Sequence, residues 1–193
     1  MSTAPTLTAA RRRTRQAIID AAIRVLVRQR DATLADIAAA AGTSRSTLHR
    51  HFADRADLLR AAVAEALGSI VRATSDAALD RGDALQALRR LVGAYLDIGD
   101  RIRFLFEDPG LAAQHPEIAE LAATEGPVVG LIERGQAAGL IAPSLSAAWI
   151  ERVLWAVVFA AAEAVDDGTL ARHEALSSVL DTFERGVAGP AAT

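Results

Sequence analysis

The side chains best equipped for binding chemistry stand in one short run, Thr43-Ser44-Arg45-Ser46-Thr47-Leu48-His49-Arg50-His51. Arginine carries a planar fork of donors that fits a guanine edge or a phosphate, and hydroxyls and imidazoles hydrogen-bond bases or phosphate oxygens. Leu48 and the following Phe52 are apolar, so a helix that buries those two turns several of the polar residues outward. Elsewhere the chain shows no activated nucleophile, no carboxylate pair at catalytic spacing and no phosphate-cradling glycine loop, which argues against an enzyme. His115 and His173 have no second histidine or carboxylate at metal-ligand spacing, so neither a metal nor a cofactor is expected.

The elements that must position this run follow from helical periodicity, and no segment has the alternation and β-branched enrichment of a strand. The expected fold is all-α, with about nine helices. Ile19, Ala22, Ile23, Leu26 and Val27 form one face of a first helix. Thr33 is a good N-cap for a second, short helix with Asp36 in its first turn, Leu34, Ile37, Ala38 and Ala41 as its apolar stripe, and Gly42 as its end. Ser44 caps a third helix that reaches Phe52, and Asp54 with Asp57 opens a long fourth. At the crossing of the second and third helices Ala38 is small, Gly42 can take the positive φ of a tight turn, and Leu48 fills the shared core with Ile37 and Phe52.

Charge divides the chain in the same place. Residues 1–60 hold eleven arginines against five aspartates, a net +6, and the remainder carries −9. A basic module that meets a polyanion, joined to an acidic body, accounts for that asymmetry. All 21 lysine-plus-arginine positions are arginine.

The run Thr33-Leu34-Ala35-Asp36-Ile37-Ala38, then Ala41-Gly42-Thr43-Ser44, then Ser46-Thr47-Leu48 and Phe52 resembles the DNA-binding domain of the TetR family, over about residues 12–60. The resemblance implies a helix-turn-helix domain over 10–55, a helical ligand-sensing and dimerisation domain over 56–188, and flexible termini at 1–9 and 189–193. It implies that Thr33 and Arg55 grip phosphates, and that Thr43, Ser44, Arg45, Ser46, Thr47, His49, Arg50 and His51 supply base and backbone contacts. Arg13 and Arg15, from the cluster Arg11-Arg12-Arg13 and Arg15, would act as an arm on the flanking groove. His49 stands where the family usually carries tyrosine, Arg55 where it carries lysine, Thr43 where it carries an aliphatic residue, and Asp31 near a usual glycine.

The expected function is a ligand-responsive transcriptional regulator, most simply a repressor that binds a palindromic double-stranded DNA operator as a homodimer through its last two helices. The expected effector is an unidentified small, largely apolar molecule. The alternative is a helical scaffold that dimerises without reading DNA, which the spacing of Ala38, Gly42 and Leu48 disfavours. Beyond the helix-turn-helix only periodicity guides the reading. Leu85, Leu88, Leu91, Val92, Tyr95 and Leu96 line a fifth helix opened by Gly82-Asp83, and Pro127 kinks or divides the helix that starts near Pro116. Two strongly apolar helices, at about 145–165 and 170–187, close the chain. Aromatic residues make up 4% of the sequence; Tyr95, Phe104, Phe106, Trp155 and Phe159 are the candidates to line an effector pocket.

There is no cysteine, which suits a reducing cytoplasm. Val153–Ala162, the apolar run before Glu163, is about half the roughly 20 residues a membrane span requires, and Met1–Ala10 lacks the features of a signal peptide. A cytoplasmic protein that does not enter membranes is expected.

Overall fold

The computed structural model describes residues 4–123 and 126–187. Among them lie eleven helices and no strand: α1 (Ala4–Arg28), α2 (Leu34–Ala40), α3 (Arg45–His51), α4 (Arg55–Asp76), α5 (Ala84–Asp97), α6 (Gly99–Phe106), α7 (Pro109–Gln114), α8 (Pro116–Ala123), α9 (Pro127–Ala137), α10 (Ala147–Asp166) and α11 (Arg172–Val187). The all-α expectation holds, and the two helices beyond the expected nine are α6 and α7. Pro109-Gly110 reads in sequence as an interruption. In the structure Asp108 caps α7 by accepting from the Gly110 N–H, and Pro109 begins that helix, where its missing donor costs nothing. The flexible start expected over 1–9 is helical from Ala4 onward. Residues 1–3 and the expected loose tail 189–193 lie outside the described residues.

The chain separates into two compact units: Met1–Gly68 with Phe104–Ile118, and Ser69–Arg103 with Ala119–Thr193. The first therefore reaches beyond the boundary expected at residue 55 and includes a segment, 104–118, expected in the second domain. α4 is continuous through Gly68-Ser69, and a helix shows no sequence break where its packing partners change.

In the first unit α1, α2 and α3 pack on one another. Ile18, Ile19, Ala21, Ala22, Ile23 and Leu26 of α1 are buried, as are Ile37, Ala38, Leu48 and Phe52, while α4 contributes Leu58, Ala62, Val63 and Ala66. Each large apolar side chain removed from water is worth about 1.5–3 kcal/mol, so this small core rests on a few residues.

In the second unit α10 packs against α11, α9 and α5, and α5 against α9 and α11. Leu88, Leu91 and Val92, Leu131 and Ile132, Ile150, Leu154 and Val158, and Val179 and Phe183 are its buried side chains. Gly135 is needed for the close approach of α9: a Cβ there would stand 2.6 Å from Ile141 Cδ1 and 3.0 Å from Ala84 Cβ. As anticipated, the segment from Pro116 is divided: α8 and α9 are separate helices, and Pro127 occupies the first turn of α9 behind Gly126.

Ala78, in the link between α4 and α5, has φ +48, a conformation costly for a residue with a Cβ. Arg90 holds that link by donating to the carbonyls of Ala77, Ala78 and Arg81 at 2.6–2.8 Å. Arg103 and Asp166 form a largely buried ion pair at 2.8 Å. Arg89 grips Glu184 with two parallel bonds at 2.7 and 2.8 Å, and these tie α5 to α11.

Candidate nucleic-acid interface

The second and third helices are seven residues each, too short to persist alone, so their ends are fixed by side chains. Thr33 and Asp36 form a reciprocal capping box: the Asp36 N–H donates to Thr33 Oγ1 at 3.2 Å and the Thr33 N–H donates to Asp36 Oδ2 at 2.8 Å. The Thr33 hydroxyl also donates to that carboxylate at 2.7 Å, and these bonds hold the Asp36 carboxyl below its ordinary range. Gly42 has φ +64, the left-handed conformation the turn requires, and the Thr43 N–H closes the turn on the Ala38 carbonyl at 2.9 Å. Ser44 then caps α3 by accepting from the Thr47 N–H at 3.1 Å.

Leu48 and Phe52 are fully buried, which fixes the rotation of α3. Arg45, Ser46, His49 and Arg50 are exposed in consequence, whereas Thr43, Thr47 and His51 are half-buried. Ser44, Ser46 and Thr47 form a hydroxyl cluster with contacts of 2.9 and 3.0 Å, and Arg50 Nη2 donates to Thr47 Oγ1 at 2.8 Å. α3 thus presents two cationic side chains, an imidazole and a group of rotatable hydroxyls on a rigid, capped turn. That set can donate to guanine edges and to phosphate oxygens.

Arg11, Arg12 and Arg13 are exposed on α1. Arg15 lies with its guanidinium 4.8 Å from the centre of the Phe52 ring, a cation–π contact that binds α1 to the end of α3. His51 has its imidazole pushed below its ordinary value, first by partial desolvation and then by the charges of Arg11, Arg50 and Arg15. A concentration of like charge around a half-buried histidine is what an anion would relieve.

Arg55 also has partners within the protein. Its guanidinium donates to the Ala32 carbonyl and, at 2.8 Å, to the Arg30 carbonyl, so it braces the turn between α1 and α2. Thr33 likewise donates its hydroxyl proton to Asp36. The turn itself explains the aspartate near the family's usual glycine: Asp31 lacks a positive φ, and Ala78 alone among described non-glycine residues has one. Sequence reasoning missed the Arg15–Phe52 and Arg55–turn contacts, since nothing in periodicity marks a side chain that crosses to another helix.

Of the pocket candidates, the structure brings Tyr95 and Trp155 together, with ring centres 4.6 Å apart and planes inclined by 22°. Burial pushes the Tyr95 phenol up to about 12. Its hydroxyl lies 2.8 Å from Thr74 Oγ1, and because the Thr74 proton is committed to the Ile70 carbonyl, Tyr95 is the donor. Phe159, half-buried, is one turn beyond Trp155 on α10. Phe104 and Phe106 fall in the first unit, the former buried and the latter exposed. Among the described residues no group of three or more metal-ligating side chains occurs, and no helix is long and apolar enough to cross a membrane.

A short capped helix, a glycine-dependent turn and a cationic outward face behind a minimal core define a helix-turn-helix transcriptional regulator. Residues 18–62 match the model of the family described as bacterial regulatory proteins, tetR family. The HTH-type transcriptional repressor LfrR of Mycolicibacterium smegmatis is 37% identical over 183 residues, spanning 92% of each chain. The crystal structure of the TetR-like regulator LfrR from Mycobacterium smegmatis with proflavine superposes with a TM-score of 0.74 at 36% identity, covering 94% of this chain and 99% of that one. The HTH-type transcriptional regulator NfxB of Pseudomonas aeruginosa is 27% identical over 165 residues, 83% of this chain and 87% of its own. The chain belongs to the TetR family of bacterial regulatory proteins, and it is not an enzyme.

Proposed function

We propose that this chain is a cytoplasmic repressor that binds a palindromic operator as a homodimer and releases it when a small, largely apolar aromatic effector binds. The observation that carries this reading is α3: Leu48 and Phe52 anchor it, and Arg45, Ser46, His49 and Arg50 are left exposed. Base reading falls to Arg45, Ser46, Thr47, His49 and Arg50, and Thr43, Ser44, His51, Arg13 and Arg15 flank the backbone. Arg55 and Thr33, which also hold the turn in place, lie beside the phosphates at the helix starts.

Pairing through α10 and α11 would cover Trp149 and Leu176, two large apolar side chains that are 53% and 40% exposed on those helices. A two-fold dimer sets its recognition helices about one turn of B-DNA apart, roughly 34–36 Å. The stacked Tyr95 and Trp155 suit a flat aromatic effector, and the relative's structure with proflavine supports that class. The effector favours a dimer with the wrong helix spacing, and α4, which runs through both units, links the two states.

The test is binding to a duplex from the DNA upstream of the protein's own gene, across a series of salt concentrations and with added proflavine. Steep loss of affinity with salt and release by proflavine are expected. No preference for that duplex over an unrelated one defeats the repressor reading and favours the scaffold.

A further inference from the structure

The turn between α1 and α2 is held from two directions. On one side Arg55 of α4 donates to the carbonyls of Arg30 and Ala32. On the other, the Arg30 side chain runs outward to the α6–α7 junction: Nη2 donates to the Glu107 carbonyl at 2.7 Å, and the guanidinium stands 3.8 Å from both the Glu107 and Asp108 carboxylates. All five residues belong to the first unit, although Arg30 and Glu107 are 77 positions apart in sequence.

The receiving end is rigid. Asp108 is fixed by its own bond to the Gly110 N–H at 2.8 Å, and Pro109 begins α7 beside it. The turn end is rigid as well, because the Ala32 N–H closes on the Gln29 carbonyl at 3.1 Å and Thr33 caps α2 immediately afterwards. Arg30 is 52% exposed at its side chain, so it is not there to fill the core. A charged side chain that spans two stiff segments fixes their separation, and the position of Thr33 sets where α2 and α3 begin.

We propose that Arg30 is a positioning residue for operator binding: it pins the turn before α2 to the α6–α7 junction and so orients the helix-turn-helix without touching DNA. This rests on the repressor reading and names a residue that the motif does not contain.

The rival role is a phosphate contact, since Arg30 is cationic and close to the start of α2. Salt dependence separates the two, because loss of one phosphate contact lowers the slope of log affinity against log salt by about one. The experiment compares wild type, Arg30→Ala and the double variant Glu107→Gln/Asp108→Asn, each as full chain, on the upstream duplex, with thermal unfolding alongside. Asparagine retains the capping oxygen of Asp108, so α7 keeps its start.

Arg30→Ala is expected to weaken operator binding about threefold or more, with the salt slope and the unfolding temperature unchanged. Glu107→Gln/Asp108→Asn removes both carboxylates but keeps the bond to the Glu107 carbonyl, so it is expected to weaken binding in the same direction by less than Arg30→Ala, and Arg30→Ala in that background to add less than it does alone. A slope lower by one, an unchanged affinity, or additive effects overturns the proposal. If Arg30→Ala lowers the unfolding temperature, the double variant decides: weakened binding at normal stability supports positioning, and normal binding overturns it. Wild type that fails to prefer the duplex is the separate failure of the repressor reading.

Discussion

α3 and α10 are both amphipathic helices, yet they are specified by opposite means. α3 has seven residues, one of them buried, and takes its form from Ser44 at one end and the Phe52 plug at the other. α10 has twenty, buries Ile150, Leu154, Val158, Ala161 and Ala162, and takes its form from packing against three neighbouring helices. Caps and a single plug leave the surface of α3 available to polar side chains. Packing claims one face of α10, and Trp155 stands half-buried at the margin of that face. The lesson is that a reading helix is cheap in core and exacting in local geometry, whereas a scaffold helix is the reverse.

Substitutions can break that contrast at graded strength. The largest effect belongs to the packed body: Asp166→Ala leaves the buried Arg103 guanidinium without this carboxylate and should cost about 3–5 kcal/mol, read by denaturant unfolding. A cost near zero would mean that the body does not depend on the pair. Next comes Leu48→Ala, which empties the one buried site of α3 and should cost about 2–5 kcal/mol together with duplex binding. Stability retained at wild-type level would show that α3 is held by its caps alone.

Arg45→Ala sharpens the comparison instead. It should lose about 1–3 kcal/mol of operator affinity and relax sequence preference, with the unfolding midpoint unchanged. Equal affinity for wild type and variant would remove Arg45 from the reading set.

The smallest effect is at His51, whose protonation is held below the ordinary value near 6.5 by desolvation and by Arg11, Arg50 and Arg15. The unfolded chain takes up that proton first, so this residue contributes nothing above pH 6.5 and disfavours the folded state as pH falls below it. Proton NMR should place its midpoint below 6.5 and move it upward in Arg11→Ala; a midpoint at or above 6.5 contradicts the cationic cluster.

The helix-turn-helix was legible almost residue by residue. The bonds at Thr33, Gly42 and Ser44 reach three to five positions, and interactions of that reach leave a spacing that can be read from the chain. The stripe of α5 was legible as a face, since burial enforces a period, but its partners were not; Leu88, Leu91, Val92 and Tyr95 are buried, and Leu85 and Leu96 at its edges are half-buried. α6 and α7 were missed because eight and six residues are too few to show a period, and because Pro109 marks a beginning as readily as a break. The pocket candidates sorted only partly: Tyr95 and Trp155 meet, and Phe104 and Phe106 belong to the other unit.

What the sequence by itself determined is the motif and its chemistry: two short capped helices, a left-handed glycine between them, and an arginine-rich face. Local hydrogen bonds and one shared plug are enough to encode these. What only the tertiary structure decided is where the long side chains go. Arg55 turns inward to the α1–α2 turn, Arg15 lies on Phe52, Arg30 reaches Glu107, and residues 104–118 join the first unit. An arginine side chain spans several ångströms and has many rotamers, so its partner is fixed by which backbone lies within reach, and that is set by packing between segments far apart in the chain.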